Sequence, residues 1–255
     1  LATKYGNKFK SIPEKSALEK IKPIVVNIMM KSIQKDLLRL GIEMDVYSSE
    51  NQLVNEGKVS NALKKLEKMG LIYQGKPEKP KGQLGSDWKP RKQLLFRSKE
   101  FGDDVDRPLQ KSDNTWTYFA SDVAYHFDKL TRTKGLLIDV LGADHSGYVK
   151  RMTAAVQAMS GKKEMLRVKQ CGLVTLLDKG QPVKMSKRAG NFITLSDVVD
   201  AVGADVIRFV MLTRKNDQPI EFDYAKVTEK SRDNPVFYVQ YAHARARSVL
   251  RQKGK

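Results

Sequence analysis

Lys184-Met185-Ser186-Lys187-Arg188 places two ammonium groups three residues apart, between glycines at 180 and 190. Flanking glycines make the segment a loop. Two lysines on such a loop can both reach a triphosphate, and a loop closes on a nucleotide and reopens for product more readily than a helix does. A second constellation is Tyr118 and Asp122, spaced i and i+4, so that a helix would set both on one face. A carboxylate beside a tyrosine ring and hydroxyl suits a guanidinium, which takes a planar acceptor pair and tolerates stacking. The competing reading makes Asp122 a helix cap and Tyr118 a core side chain. The third is Gly142-Ala143-Asp144-His145, directly after an apolar run. A glycine there lets a planar base or ribose approach the backbone, and Asp144 can accept from ribose hydroxyls; a capping Asp and a packing His are the alternative.

These groups need elements to hold them. Residues 14–40 carry Leu18, Ile21, Ile24, Val25, Ile28, Met29, Ile33, Leu37 and Leu38 at helical period, with lysines on the other face and Gly41 as C-cap. Ser48 or Ser49 opens a second helical region. Ala62, Leu63, Leu66 and Met69 mark a third helix, stopped by Gly70. Residues 75–92, rich in Pro, Gly and Lys, read as a loop within a 75–99 insertion. The acidic run Glu100, Asp103, Asp104 and Asp106 reads as solvated surface. Leu136–Leu141, between Gly135 and Gly142, has the profile of a buried strand, and Gly147–Met159 of a helix. Residues 166–177 alternate as a strand or strand pair. Ser196 is expected to cap a helix with the stripe Val199, Val202, Val206, Ile207, Val210 and Met211. Strand, loop and helix repeated twice argue for a parallel α/β layer. From Asn234 the chain turns helical and rich in Tyr, Arg and His.

The 255 residues hold 47 Lys+Arg against 29 Asp+Glu, a net charge of +18. That excess points to a polyanionic partner, nucleic acid or an anionic membrane face. No apolar stretch is long enough to span a bilayer. One cysteine, Cys171, excludes an internal disulfide framework and a zinc site of several thiolates. Histidines at 126, 145 and 243 are too scattered for a His cluster. The start at Leu1 and the polar end at Lys255 read as cut ends of a longer polypeptide.

The K-M-S-K loop resembles the second signature of the class I aminoacyl-tRNA synthetases, with Arg188 where that signature ends in Ser. Their first signature, H-I-G-H, is absent and would precede Leu1. Asp103-Asp-Val-Asp-Arg-Pro108, Trp116-Thr-Tyr-Phe-Ala-Ser-Asp-Val-Ala-Tyr-His126, Gly142-Ala-Asp-His-Ser-Gly-Tyr-Val-Lys-Arg151 and Asn234-Pro-Val-Phe-Tyr-Val-Gln-Tyr-Ala-His-Ala-Arg245 narrow the resemblance to the bacterial arginyl-tRNA synthetase family. A cysteinyl-type enzyme would need zinc ligands that one cysteine cannot supply. A glutamyl-type enzyme would face its substrate with a cation instead of Asp122.

The resemblance implies a Rossmann-type parallel-sheet catalytic domain with a helical insertion. It divides the chain into a helical connecting segment (1–44), the catalytic domain (45–230) and the start of an all-helical anticodon-binding domain (231–255). It implies activation of arginine by ATP with Mg²⁺, transfer to tRNA(Arg), and bound tRNA as part of the active form. Lys184 and Lys187 would be catalytic. Gly142, Asp144, His145, Lys184, Met185, Ser186 and Lys187 would bind ATP, and Tyr118, Asp122 and His145 would bind arginine. Asn234, Gln240, Tyr241 and Arg245 would contact tRNA. A cytoplasmic monomer is expected, with no membrane partner and no tightly bound metal or organic cofactor. The alternative is a non-catalytic tRNA-binding protein derived from the same fold.

Overall fold

The computed structural model describes residues 2–78, 91–111, 113–183 and 192–253. They form two compact units, one made of 46–173 with 216–219, the other of the described parts of 1–45, 174–215 and 220–255. The break at residue 45 coincides with an expected boundary, whereas the break after Leu173 falls inside the stretch expected as one catalytic domain.

The chain opens with α1 (Ala2–Tyr5) and the long α2 (Glu14–Arg39), which runs through an interior Pro23. Gly41 follows α2 with φ +66°, the left-handed ending that glycine accepts without cost. The apolar stripe of α2 is not buried as its periodicity predicts. Leu18, Ile28, Met29, Ile33 and Leu38 are exposed, and Ala17 is the buried residue of the helix. The reason is the small core of this unit, formed by Leu40, Val199, Ile207 and Phe222, which takes only the C-terminal end of α2. Arg208 fixes that end by donating from Nη1 to the Leu40 carbonyl at 2.7 Å, and Arg39 pairs with Ser196 and Asp200.

Residues 46–173 build the larger core. Ser49 caps α3 (Glu50–Asn55), accepting from the Gln52 N–H. Helix α4 (Lys58–Lys68) buries Val59, Ala62, Leu63 and Leu66, an i, i+3, i+4, i+7 stripe, before Gly70 at φ +74° ends it. Strands β1 (Ile72–Gly75), β2 (Gln93–Phe96) and β3 (Arg107–Pro108) form an antiparallel sheet. The expected 75–99 insertion therefore contains a strand directly after the 75–92 stretch read as loop: Leu95 and Phe96 are buried and pair with Tyr73 and Ile72, while residues 79–90 lie outside the described residues. Helix α5 (Tyr118–Arg132), β4 (Leu137–Gly142), a 3-10 helix (Ala143–Tyr148), α6 (Val149–Ser160) and β5 (Leu166–Cys171) follow. β4 and β5 are parallel, from Leu137↔Leu166 to Gly142↔Cys171, with α6 as the crossover between them. The helix expected from Gly147 thus begins at Val149, after the 3-10 turns. Phe96, Phe119, Val123, Met152 and Val156 bring the sheet, α5 and α6 into one core.

In the other unit, β6 (Val174–Asp178) and β7 (Gln181–Pro182) form a hairpin, and β8 (Ile220–Asp223) pairs parallel to β6. The 166–177 stretch therefore yields two strands in separate sheets. Helices α7 (Leu195–Val202) and α8 (Ala204–Leu212) lie in the connection to β8. One continuous helix starting from a Ser196 cap was the sequence expectation. Instead Thr194 caps α7 in a reciprocal pair with Asp197, and Gly203 at φ +84° and ψ 155° separates α7 from α8. Ser196 accepts from Arg39. The chain ends in α9 (Tyr224–Thr228) and α10 (Pro235–Lys253). Parallel strand pairs joined through helices are the α/β arrangement expected.

Candidate active site

Helix α5 positions the first pair of site residues. Thr117 caps it, its Oγ1 accepting from the Ala120 N–H at 3.2 Å, so Asp122 is not the cap. Tyr118 is 76% exposed and is not core either. The cap reading of Asp122 and the core reading of Tyr118 are thereby removed. Tyr118 lines a cleft of about 780 Å³ together with Tyr148, Arg151, Arg107, Asp106 and Glu78. Asp122 is joined to that cleft through Tyr148, whose hydroxyl donates to Asp122 Oδ2. Burial pushes the Asp122 carboxyl up, and the Tyr148 hydrogen bond opposes this without cancelling it. Burial and then the Asp122 contact push the Tyr148 hydroxyl far up, so it donates at any physiological pH.

The acidic run beside the cleft is only in part the solvated surface expected: Glu100 and Asp104 are exposed, whereas Asp103 and Asp106 are tied into the fold. Asp103 is buried and accepts two hydrogen bonds from Arg107, both at 2.6 Å. Burial works against the Asp103 carboxylate, but the Arg107 contacts outweigh it and hold its pKa below the usual range. Asp106 accepts from the Tyr73 hydroxyl at 2.8 Å and from the Lys99 N–H at 3.1 Å, and Lys150 reaches Asp104 at 2.8 Å. These pairs fix the 98–108 wall. In the same cleft the Arg151 guanidinium lies 5.1 Å from the Tyr148 ring centroid, a cation–π contact.

The third constellation stands where β4 ends. Gly142, Asp144 and His145 are all exposed, and Asp144 and His145 approach to 3.7 Å. A Cβ on Gly142 would come within 2.5 Å of Asp144 Oδ1, so the space beside this glycine is taken by the Asp144 carboxylate and no larger side chain fits without moving it. The 3-10 helix that carries Asp144 and His145 also carries Tyr148, and Tyr148 ties it to Asp122 on α5. The structure thus connects the guanidinium-type pair to the ribose-type loop.

A buried ionic cluster underlies this connection, and no sequence motif announced it. His126 of α5 sits with Nε2 2.7 Å from Asp139 Oδ2 and Nδ1 2.8 Å from the Asp122 carbonyl. Lys129 donates to Asp139 Oδ1 at 2.7 Å. Burial alone would raise the Asp139 carboxyl, but the hydrogen bonds from His126 and Lys129 bring it from 3.8 down to about 2. A depressed carboxyl contributes stability that is complete above pH 3.8 and is lost as pH falls through about 2. Asp139→Asn is expected to destabilise this unit by about 3 kcal/mol at neutral pH, since it leaves the Lys129 ammonium without its carboxylate beside a largely buried site. It should also flatten the acid limb of a stability–pH curve below pH 4, checked by urea unfolding; an unchanged midpoint would contradict it.

The lysine loop presents a different situation. Residues 184–191, which include Lys184, Met185, Ser186 and Lys187, lie outside the described residues. The hairpin leading to them is well defined. Lys179 and Gly180 have φ +50° and +77°, the left-handed pair of a two-residue type I′ turn. Asp223 at the end of β8 anchors that turn, accepting from the N–H groups of Lys179 at 3.2 Å, Gly180 at 2.8 Å and Ala225 at 3.0 Å.

On α10, Gln240, Tyr241 and Arg245 are exposed, and Tyr241 and Arg245 share one face at i and i+4. Asn234 differs. It is buried, donates from Nδ2 to the Val227 and Glu229 carbonyls, and accepts from the Val236 N–H. Its side chain is spent on the start of α10, so it is dropped from the expected tRNA contacts. Among the described residues there is no group of three or more His, Cys, Asp or Glu able to hold a metal, and no helix is long and apolar enough to cross a membrane.

Residues 126–223 match the sequence family described as tRNA synthetases class I (I, L, M and V). In fold and in this matched stretch, the chain resembles a segment of the class I aminoacyl-tRNA synthetases. Within that class the chain is similar to arginyl enzymes. It is 58% identical over 252 residues to the arginine–tRNA ligase of Ruegeria pomeroyi, covering 99% of this chain and 43% of that protein. It is 56% identical to the arginine–tRNA ligase of Cereibacter sphaeroides strain ATCC 17025, with the same coverage. A Campylobacter jejuni structure assigned as an arginyl-tRNA synthetase superposes with a TM-score of 0.81 at 33% identity, over 100% of this chain and 51% of that one. The Thermus thermophilus arginyl-tRNA synthetase shares the fold, with a TM-score of 0.60 at 20% identity, over 97% and 51%. The chain therefore spans less than half the length of the curated relatives it matches.

Proposed function

We propose that this chain supplies the arginine pocket and the lysine loop of an arginyl-tRNA synthetase. The complete protein would activate arginine with MgATP to arginyl-adenylate and pyrophosphate, then transfer the arginyl group to the terminal ribose of tRNA(Arg). The observation that carries the reading is Asp122, a half-buried carboxylate on the α5 face that also bears the exposed Tyr118. A half-buried carboxylate with no direct cationic partner gains from one, and a guanidinium supplies that charge. The arginine–tRNA ligase relatives support the same choice.

The reaction needs no protein nucleophile. The arginine carboxylate attacks the α-phosphate, and the protein contributes positioning and charge stabilisation. Tyr118 and Asp122 hold the side chain, with His145 beside them. Gly142 and Asp144 receive the adenosine, Asp144 accepting from its ribose hydroxyls. Met185 and Ser186 border the nucleotide, and Lys184 and Lys187 neutralise the departing pyrophosphate. Mg²⁺ enters as the counterion of ATP. Charging of tRNA(Arg) with labelled arginine by the complete protein tests the reading; a protein that binds the tRNA but never charges it would be the non-catalytic alternative.

The basic excess belongs to tRNA binding in the same reading, through the lysines of the first 40 residues, the 76–99 segment, and Gln240, Tyr241 and Arg245 on α10. Phosphate contacts release counterions, so affinity for tRNA is expected to fall at least tenfold between about 50 and 200 mM salt. Filter binding across that range checks this, and a flat response would contradict it. A cytoplasmic, monomeric enzyme fits the proposal.

A further inference from the structure

Tyr148 received no role from the sequence, yet it is the one side chain that hydrogen-bonds the Asp122 carboxylate among the described residues. Its hydroxyl occupies Oδ2. Oδ1 accepts no hydrogen bond from any described residue, and the residue is only half-buried. Tyr148 itself is held from two sides: its backbone ends the 3-10 helix behind β4, and its ring lies under the Arg151 guanidinium of α6. A carboxylate on a rotatable side chain gains directional value when one oxygen is pinned, because the other then lies in a fixed plane.

Resting on the arginine-site reading above, we propose that Tyr148 is a positioning residue for that site, pinning Asp122 Oδ2 so that Oδ1 is presented to the guanidinium. The hydroxyl has a second effect. Burial, and more weakly Glu50 of α3, favour the protonated Asp122, while Tyr148, His126 and Lys129 favour the carboxylate. Arg151 and Glu50 are the other charged groups that act on Tyr148. Removing the hydroxyl leaves the burial in place and takes away the strongest of the opposing contacts. The ionised Asp122 that a guanidinium requires is then lost at a higher pH.

The experiment compares Tyr148→Phe, Asp122→Asn and the unaltered complete protein in arginine activation with tRNA present, from pH 5 to 9. Tyr148→Phe is expected to raise the arginine KM about fivefold to tenfold, to leave the ATP KM within twofold, and to move the acid limb of kcat/KM for arginine to higher pH. Asp122→Asn should raise the arginine KM at least as much and abolish that limb. An unmoved limb and arginine KM in Tyr148→Phe, with Asp122→Asn still impaired for arginine, would overturn the Tyr148 role and leave the arginine pocket standing. Equal losses for arginine and ATP in Tyr148→Phe would make Tyr148 a general packing residue and also overturn it. An Asp122→Asn protein with normal arginine KM would overturn the pocket and the Tyr148 role together.

Discussion

Lys187→Ala in the complete protein is expected to slow arginyl-adenylate formation about 100-fold while weakening ATP binding far less. A group that neutralises charge building on departing pyrophosphate acts mainly in the transition state, so its loss appears in kcat. Removing one such donor costs on the order of 10²–10³ in rate, and the adjacent Arg188 partly substitutes, which favours the lower figure. The β6–β7 hairpin that precedes the lysine segment is anchored by two turn N–H groups, those of Lys179 and Gly180, which donate to Asp223. Transfer from preformed adenylate releases no pyrophosphate and should change little. Single-turnover activation and transfer, measured separately with tRNA bound, distinguish the cases. Equal losses in both steps would make Lys187 a docking or folding residue, and no loss in either would make it one more surface lysine.

Asp122→Asn is the second large effect. It preserves size and can still accept from Tyr148, but removes the charge that pairs with the guanidinium. A hydrogen bond to a charged group is worth about 1.5–3 kcal/mol, so the arginine KM should rise roughly 10- to 150-fold. The ATP KM should stay near its original value, because Gly142 and Asp144 lie at the end of β4 and not on α5. Steady-state activation kinetics at saturating tRNA provide the check. A rise confined to ATP would assign Asp122 to the nucleotide or to the fold.

Local signals carried much of this arrangement into the sequence. The stripe of α4, the Gly41 and Gly70 stops and the strand after Gly135 were legible because each depends on spacing within a few residues, but that strand is not the buried one expected: Ile138 and Val140 are exposed. Tyr118 and Asp122 were legible because i, i+4 spacing on a helix sets a shared face wherever the helix packs. What escaped depends on partners distant in the chain. The acidic run reads as solvated until Arg107 and Lys150 are placed beside it. The α2 stripe has strong periodicity, but periodicity does not say whether a facing surface exists, and here the small core accepts only its last turn. Gly203 splits a stripe that continues in phase across it, so pattern alone joined α7 to α8. The His126–Asp139–Lys129 cluster and the Tyr148–Asp122 contact join residues 10 to 26 positions apart and follow no short motif. Tyr148 did stand inside the Gly142–Arg151 block, three residues beyond His145; what the sequence lacked was its partner.

ATP–pyrophosphate exchange by the complete protein, run with each amino acid in turn and with and without tRNA, tests the central claim most directly. Exchange that depends on arginine, requires tRNA, and loses its arginine affinity in Asp122→Asn is the expected result. Exchange driven by another amino acid, or none with arginine while tRNA remains bound, would contradict it.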